Sequence, residues 1–325
     1  MATPKFSSTS QSFHAELKKR INSHFDEMGK SFTGGVKIYT KAIILFSLFI
    51  ALYVHLVFFT PGTVWALLEC VLLGFVVASI GFNIMHDGGH GSFSKKKWVN
   101  NLAAISLNIL GGSHFMWNMK HNVIHHAYTN IDGVDDDIDI KPWMRMSTTQ
   151  PRYALHRYQH IYFWFLYALL YIFWIFVMDY QKYFTRKIGN MPLKKMSFGD
   201  HFVFWSFKVL HLFLFIFLPI YMLGFTPWLV GFLTFSVVTG LVISIVFQLA
   251  HTVEHTHFPM HDEVTGKLED EWAVHQLKTT ANFAPNNKAI SWFVGGLNYQ
   301  VEHHLFPKIS HIHYPEIRRI IKKTC

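Results

Sequence analysis

Four apolar segments of membrane-spanning length constrain the fold of this 325-residue chain more than any other feature. A transmembrane helix needs about 20 predominantly apolar residues, and residues 42–60, 63–85, 203–223 and 228–250 meet that requirement. The first two segments are separated by Pro61 and Gly62, and the last two by a short turn at 224–227. The sequence therefore predicts an all-α integral membrane protein built on two helical hairpins.

The charge of the chain fits a membrane protein better than a nucleic-acid-binding one. Only 15% of the residues are charged, against about 25% in soluble domains. The net charge is +9, but the basic residues lie mostly between apolar segments, as in cytoplasmic loops that face anionic lipids. Cys70 and Cys325 indicate no disulfide framework. No cleavable signal peptide is evident, so we expect residues 1–40 to form a cytoplasmic tail before a retained first span.

A fifth apolar stretch, residues 161–178, is long enough to span but raises a topological conflict. The loop that follows it, 179–200, is basic, as are the N-terminal tail and the first long loop. The positive-inside rule places all three on the cytoplasmic side. We therefore expect four spans, with 161–178 re-entrant or interfacial and 102–117 a second interfacial segment broken at Gly111–Gly112. Residues 86–201 and 251–325 would then form one cytoplasmic cap.

Histidines form three short clusters on this predicted cap. Neutral imidazoles are common ligands of iron, copper, zinc and nickel, and the i, i+4 spacing in the first two clusters places side chains on one helix face. The alternative for the first cluster is a polar helix end at the membrane surface. The pattern predicts more than one metal ion, and its members are His86 and His90, then His121, His125 and His126, then His303 and His304.

A fourth stretch follows the last span and extends the candidate set. His251 and His255 have i, i+4 spacing, with Glu254 close by, and this too could be a polar interfacial helix end. Gln300 precedes the third cluster and could ligate weakly or hold a metal-bound water. Nine histidines are a suitable supply for two octahedrally coordinated ions with one exchangeable site.

The segments HDGGH, HNVIHH and QVEHH resemble the three histidine boxes of the membrane fatty acid desaturases, in order, spacing and placement. The resemblance covers about residues 40–325 and makes 41–325 a membrane desaturase domain. It implies a di-iron centre, two iron ions held by the seven box histidines, with a further ligand from His251 or His255. Gln300 resembles the front-end subgroup, which inserts a double bond between an existing one and the carboxyl end. Outer partners of the ligands are expected among Asp87, Asn122, Asn130 and Glu302.

The implied activity is O₂-dependent desaturation of an acyl chain carried by coenzyme A or by a lipid. The chain has no HPGG motif and a short N-terminus, so we expect electrons from a separate cytochrome b5-like protein or ferredoxin. Relatives usually extend further after the third box, which leaves open whether the C-terminus is truncated. Lys95, Lys96, Lys97, Lys141 and Arg145 could meet a phosphate-bearing headgroup, or could reflect positive-inside bias alone.

Two other functions remain open at this stage. A hydroxylase or other oxygenase could use the same scaffold, because the same oxidant can insert oxygen. A metal transporter is a less favoured alternative, because transporters need polar residues within several spans and these histidines lie outside them. The acidic run at 132–139 lacks calcium-loop spacing and is interpreted as a solvated loop or as a segment that orders the second histidine cluster.

Overall fold

Helices make up most of the protein in a computed structural model that describes residues 4–7, 12–262 and 264–325. Numbered in chain order, they are α1 (Phe13–Glu27), α2 (Gly35–Phe59), α3 (Thr63–His90), α4 (Lys97–Ile109), α5 (residues 114–128), α6 (Ala154–Thr185), α7 (Phe198–Leu223), α8 (Phe225–His251), α9 (Trp272–Thr279), α10 (Lys288–Phe293), α11 (Gln300–Leu305) and α12 (Tyr314–Thr324). A small antiparallel pair, β1 (Lys187–Ile188) and β2 (Met191–Pro192), follows α6.

Five of these helices, α2, α3, α6, α7 and α8, are long and apolar enough to cross a membrane. The prediction of a helical multi-pass membrane protein is confirmed; three of the four predicted spans lie within one of these helices, and the first, 42–60, ends one residue after α2. The fifth is α6, which contains the segment 161–178. The length and composition of α6 suit a span, so its predicted interfacial position stays a prediction. The segment 102–117 is divided as expected, because α4 ends at Ile109 and Gly111 has a positive φ of 98°.

The helices α3 and α8 pack side by side and run in the same direction. Cys70 lies beside Gly231, and one turn further along both helices Gly74 lies beside the carbonyl oxygen of Phe235. The Thr239 hydroxyl donates a hydrogen bond to the carbonyl oxygen of Gly74 at 3.3 Å. Because the helices are parallel, their C-terminal ends lie at the same end of the bundle.

The helix α6 crosses α8 at close range. A Cβ atom on Gly240 would lie 2.6 Å from the carbonyl oxygen of Ala168, a distance that real side chains do not tolerate. The Ser244 hydroxyl donates to the carbonyl oxygen of Tyr167 at 3.3 Å. Glycine at 240 therefore permits the backbones of the two helices to approach, as small residues do in membrane bundles.

A buried ion pair fixes α7 to α6 within the apolar bundle. The Lys208 ammonium lies 3.1 Å from a carboxylate oxygen of Asp179 and also donates to the carbonyl oxygens of Gly111 and Ile175. Both side chains are almost fully buried. A charge in this environment is tolerated only when it is paired and hydrogen-bonded, and this one has three oxygen partners.

The N-terminal helix α1 packs against the C-terminal helix α12. Leu17, Ile21 and Phe25 follow the i, i+4, i+8 spacing of one helix face, and all three are buried in a cluster that includes Ile317 and Ile321. Residues within the predicted polar tail 1–40 thus contribute an apolar face to the packing, and that face covers the segment that follows the third histidine cluster.

Candidate metal centre

The histidine clusters lie on helical segments that meet at one end of the bundle. His86 and His90 end α3, His251 ends α8, and the adjacent pair His303 and His304 lies in α11. The second cluster lies in α5. Two of these segments carry π-helical turns, at Gly81–Met85 directly before His86 and at Met119–His125, and such turns are frequent at functional sites.

Eight histidines converge into two adjacent groups. In the first metal position, donor nitrogens of His86, His90, His121 and His303 lie within 4.8 Å of one another. In the second metal position, the same holds for His125, His251 and His304. The eighth is His126, whose donor nitrogen lies within the same distance of those of His303 and His304, between the two positions. The structure therefore brings together all seven histidines of the three clusters and adds His251.

The ring nitrogens in this centre have the arrangement expected of metal ligands. The Nε2 atoms of His90, His125, His303 and His304 are buried without a hydrogen-bond partner in the described part of the chain. The Nε2 atom of His121 lies 3.1 Å from that of His86 and 3.2 Å from that of His126. A buried polar atom without a partner costs about 1–3 kcal/mol. Metal ions would satisfy these converging nitrogens, so the residues present fit an imidazole-ligated metal centre.

The electrostatic environment keeps most of these imidazoles neutral. Burial, followed by the charges of neighbouring histidines, holds the pKa values of His121, His126, His303 and His304 well below the usual value. A neutral imidazole offers a lone pair to a metal without first losing a proton. His125 differs: burial opposes its charged form, but the carboxylates of Asp135 and Asp137 outweigh burial and raise its pKa.

Hydrogen bonds from the surrounding protein orient the rings of the second metal position. His125 donates from Nδ1 to Asp135 at 3.0 Å, and Asp137 lies 3.3 Å from the same nitrogen. His304 donates from Nδ1 to the Gln276 side chain at 2.8 Å. The outer nitrogen of His251 faces the carbonyl oxygen of Thr279 at 3.4 Å. Such partners fix the tautomer and direct the opposite nitrogen toward a metal.

The sequence did not point to several of these partners. Gln276 and Thr279 lie in α9, more than 20 residues before the third cluster, and nothing in their spacing marks them. Tyr314 lies 3.1 Å, through its hydroxyl, from Nδ1 of His303. Asp135 belongs to the acidic run at 132–139, and its bond to His125 favours the interpretation that this run orders the second cluster.

The expected outer partners lie close to the centre in different ways. Gln300 is buried, and its Nε2 atom lies 2.8 Å from Nε2 of His251. Asn130 donates from its side chain to the carbonyl oxygen of His251 at 2.8 Å. Asn122 donates to the carbonyl oxygen of Gly89 at 2.9 Å. These three tie the ligand-bearing segments together through the backbone or through a ligand ring.

Two expected carboxylates bond to neighbouring segments rather than to ligand rings. One oxygen of Asp87 accepts hydrogen bonds from Ser310 at 2.8 Å and His311 at 3.0 Å, so the first cluster is fastened to the segment after the third. Glu302 accepts from Asn282 at 2.7 Å, and burial raises its pKa to about 7.

The remaining pair of candidates, Glu254 and His255, lies outside the centre. Both residues are exposed, and His255 belongs to none of the potential metal-ligating groups of the described residues. The prediction that His251 and His255 share a helix face is wrong, because α8 ends at His251 and Thr252 already has a non-helical backbone.

Close packing contributes to the shape of the first metal position. The Trp117 ring stacks on His121 with ring centres 4.6 Å apart. A Cβ atom on Gly88 would lie 2.7 Å from Ala103 Cβ and from the backbone nitrogen of Ala104. Glycine at 88 therefore lets α4 approach the end of α3, which positions His86 and His90.

Comparisons with known proteins agree with this geometry. The sequence model described as "Fatty acid desaturase" matches residues 62–325. The chain is 38% identical over 316 residues to an sn-1 linoleoyl-lipid 6-desaturase of Arthrospira platensis, covering 96% of this chain and 85% of that protein. It is 35% identical to the protein of the same description from Synechocystis, covering 96% and 88%. It is 36% identical to an acyl-lipid (8-3)-desaturase of Physcomitrium patens, covering 97% and 66%. The chain belongs to the fatty acid desaturase family.

Proposed function

We propose that this acyl desaturase acts on chains esterified to a membrane lipid and is of the front-end type, with two iron ions as its cofactor. The observation that carries the proposal is the convergence of eight histidines into two adjacent groups at the end of a bundle of apolar helices. The relatives named above are acyl-lipid and linoleoyl-lipid desaturases, and Gln300 beside His251 fits the front-end resemblance.

The proposed ligands divide between the two metal positions. His86, His90, His121 and His303 would hold one iron, and His125, His251 and His304 the other, with His126 between them. His251 is the proposed ligand of the helix-end pair, because His255 is exposed. When bound, the irons supply the activation of O₂ that abstraction of hydrogen from an unactivated methylene requires, which no amino-acid side chain provides.

The protein's own contribution is orientation and exclusion of water. Asp135 and Gln276 hold the outer nitrogens of His125 and His304, so the inner nitrogens of these two rings need no rearrangement to bind metal. Seven of the eight histidines are buried, and His90 is half-buried. A dry centre of this kind limits side reactions of a strong oxidant with solvent.

The geometry also supports four spans rather than five. His90 at the end of α3 and His251 at the end of α8 lie in one cluster, so an even number of crossings must separate them. Three apolar helices intervene, and α7 and α8 form a hairpin at Gly224. Therefore α6 would return to the face where it began. In support, Lys182 near its end lies 3.6 Å from Asp136 in the acidic run beside His125.

The catalytic face is proposed to be cytoplasmic, since the basic loops lie on that side by the positive-inside rule. Oxygen and two electrons per double bond are required, and we propose a separate cytochrome b5-like protein or ferredoxin as the electron donor.

Product analysis in a host fed defined polyunsaturated fatty acids tests this function. Expression of the protein is expected to yield acyl chains with two fewer hydrogens and a new double bond on the carboxyl side of an existing one. These products should appear in the membrane lipids earlier in time than in the pool of acyl-coenzyme A. His125→Ala should abolish the product. A product with an added hydroxyl would contradict the desaturase function, and a new double bond on the methyl side would contradict the front-end type.

A further inference from the structure

A cavity of about 480 Å³ opens beside the metal centre, between the start of α6 and the end of α8. Thr252, which directly follows His251, lines it together with Phe163 and Tyr167 of α6. Arg145 and Arg152 also line it. The volume lies within the ~300–1,000 Å³ of typical small-molecule sites. Its lining therefore combines cationic and aromatic side chains next to the segment that carries His251.

The positive charge of this cavity is not neutralised by the protein. Among the residues that the structure describes, no carboxylate lies within ion-pair distance of either arginine, and the lining contains no acidic residue. Arg145 is held in place by backbone carbonyls instead, donating from Nε to Gln150 at 2.8 Å and from Nη2 to Thr148 at 2.6 Å. A guanidinium has five N–H donors, so three of them remain for a ligand.

Two histidines, His156 and His160, also line the cavity. His156 Nε2 donates to the carbonyl oxygen of Pro142 at 2.8 Å, and its Nδ1 accepts from the backbone of Tyr153. Both ring nitrogens are used, so His156 shapes the loop and the two arginines supply permanent positive charge. An anion with two or more oxygens matches the donor geometry of a guanidinium group.

Exposed aromatic side chains surround this region and indicate its depth. Trp143, Tyr153, Tyr158 and Trp164 are all at least 48% exposed, although they are large and partly apolar. Trp and Tyr are enriched at the headgroup level of membranes. The cavity therefore lies at the depth of the lipid headgroups in the membrane. A water-soluble acyl carrier such as coenzyme A would have to pass this aromatic belt to reach it.

From these observations we infer that Arg145 and Arg152 bind the phosphate diester of a glycerophospholipid, and that the acyl chain of that lipid contacts Phe163 and Tyr167. This inference rests on the proposed action on acyl lipids and adds the headgroup that is recognised and the residues that recognise it. The ligand would be amphipathic, as the lining of the cavity is.

Binding of short-chain ligands to the detergent-solubilised, iron-loaded protein tests the inference. We expect dihexanoylphosphatidylglycerol to bind at least tenfold more tightly than dihexanoylglycerol, which lacks the phosphate. Arg152→Gln should weaken the phospholipid about tenfold or more, because a charge-assisted hydrogen bond is lost. Arg157→Gln is the matched control: Arg157 lies on the same exposed segment but does not line the cavity, and we expect less than a twofold change.

Three results would overturn the inference. The first is that Arg152→Gln and Arg157→Gln weaken phospholipid binding equally, which would mean a diffuse basic field. The others are that inorganic phosphate binds as tightly as the phospholipid, or that coenzyme A binds more tightly than the phospholipid with the same dependence on Arg152. Arg145→Gln is a weaker test, since it also removes bonds within the loop.

Product formation by the same preparation separates the two proposals. If Arg152 does not affect binding but wild-type protein desaturates lipids, only the headgroup site fails. If no double bond forms at all, the proposed function fails.

Desaturation kinetics in mixed micelles provide a second readout. The apparent KM for a phosphatidylglycerol substrate should rise about tenfold in Arg152→Gln while kcat stays within twofold, because the contact is made equally before and during reaction. A fall in kcat with unchanged KM would contradict a headgroup-binding role.

Discussion

The two metal positions are built from the same ligand type but are held by different means. Around the second position, Asp135, Gln276 and Thr279 each face the outer nitrogen of one imidazole. Around the first position, the single such bond in the described residues joins His303 to the Tyr314 hydroxyl, and packing of Trp117 and the close approach at Gly88 position the rest. Hydrogen bonds tune ligand basicity as well as orientation, whereas packing sets position alone. We therefore expect the second position to bind its iron more tightly.

The largest effect should come from removing one ligand at each position. His304→Ala at the second position and His90→Ala at the first should each lower activity by at least the ~10–100-fold that loss of an outer partner costs. Each variant should retain about one iron per chain of the two expected, measured by elemental analysis of the purified protein. If one variant lost both irons and the other lost none, the division into two positions would be wrong.

The next effect is expected at the carboxylate that distinguishes the second position. Asp135→Asn keeps the size of the side chain but removes the charge beside His125, and should lower iron affinity or activity by roughly 10–100-fold. Iron retention during titration with a chelator measures this directly. Asp139→Asn is the control, since Asp139 pairs with Lys141 on the surface. Equal chelator sensitivity of the two variants would remove the proposed role of Asp135.

A smaller effect is expected at the corresponding bond of the first position. Tyr314→Phe removes a neutral hydroxyl that lies 3.1 Å from His303 and keeps the buried ring. A hydrogen bond of this kind contributes about 0.5–1.5 kcal/mol, so activity and iron affinity should fall tenfold at most. Should Tyr314→Phe be as damaging as Asp135→Asn, the contrast between a packed and a hydrogen-bonded position would not hold.

The smallest effect is expected at the exposed histidine of the helix-end pair. His255→Ala should leave iron content unchanged and activity within about twofold of the wild type, as is usual for surface substitutions. His251→Ala, four residues earlier in the sequence, should lower iron content and activity as His304→Ala does. A loss of iron from His255→Ala would place this residue at the centre and would require movement of the segment after α8.

Sequence reasoning predicted what depends on local spacing. The i, i+4 pairs at 86/90 and 121/125 and the apolar lengths of the spans are properties of single segments, and the helices formed where those patterns predicted them. The shared face of His251 and His255 was predicted by the same rule and was wrong, because the rule assumes a continuing helix and α8 ends at His251. The cooperation of Asp135 with His125 and of Gln276 with His304 depends on distances between segments, which spacing along one segment does not contain.

The contact of Asp87 with Ser310 and His311 has a consequence for the biogenesis of this protein. It joins positions that are 223 and 224 residues apart along the chain, one at the end of α3 and the other after the third histidine cluster. The first cluster is synthesised before the third, so its imidazoles lack His303 and His304 until that part of the chain has been made. The centre can therefore assemble only after residue 304 has been synthesised, and a nascent chain that stalls earlier presents no complete set of the eight histidines.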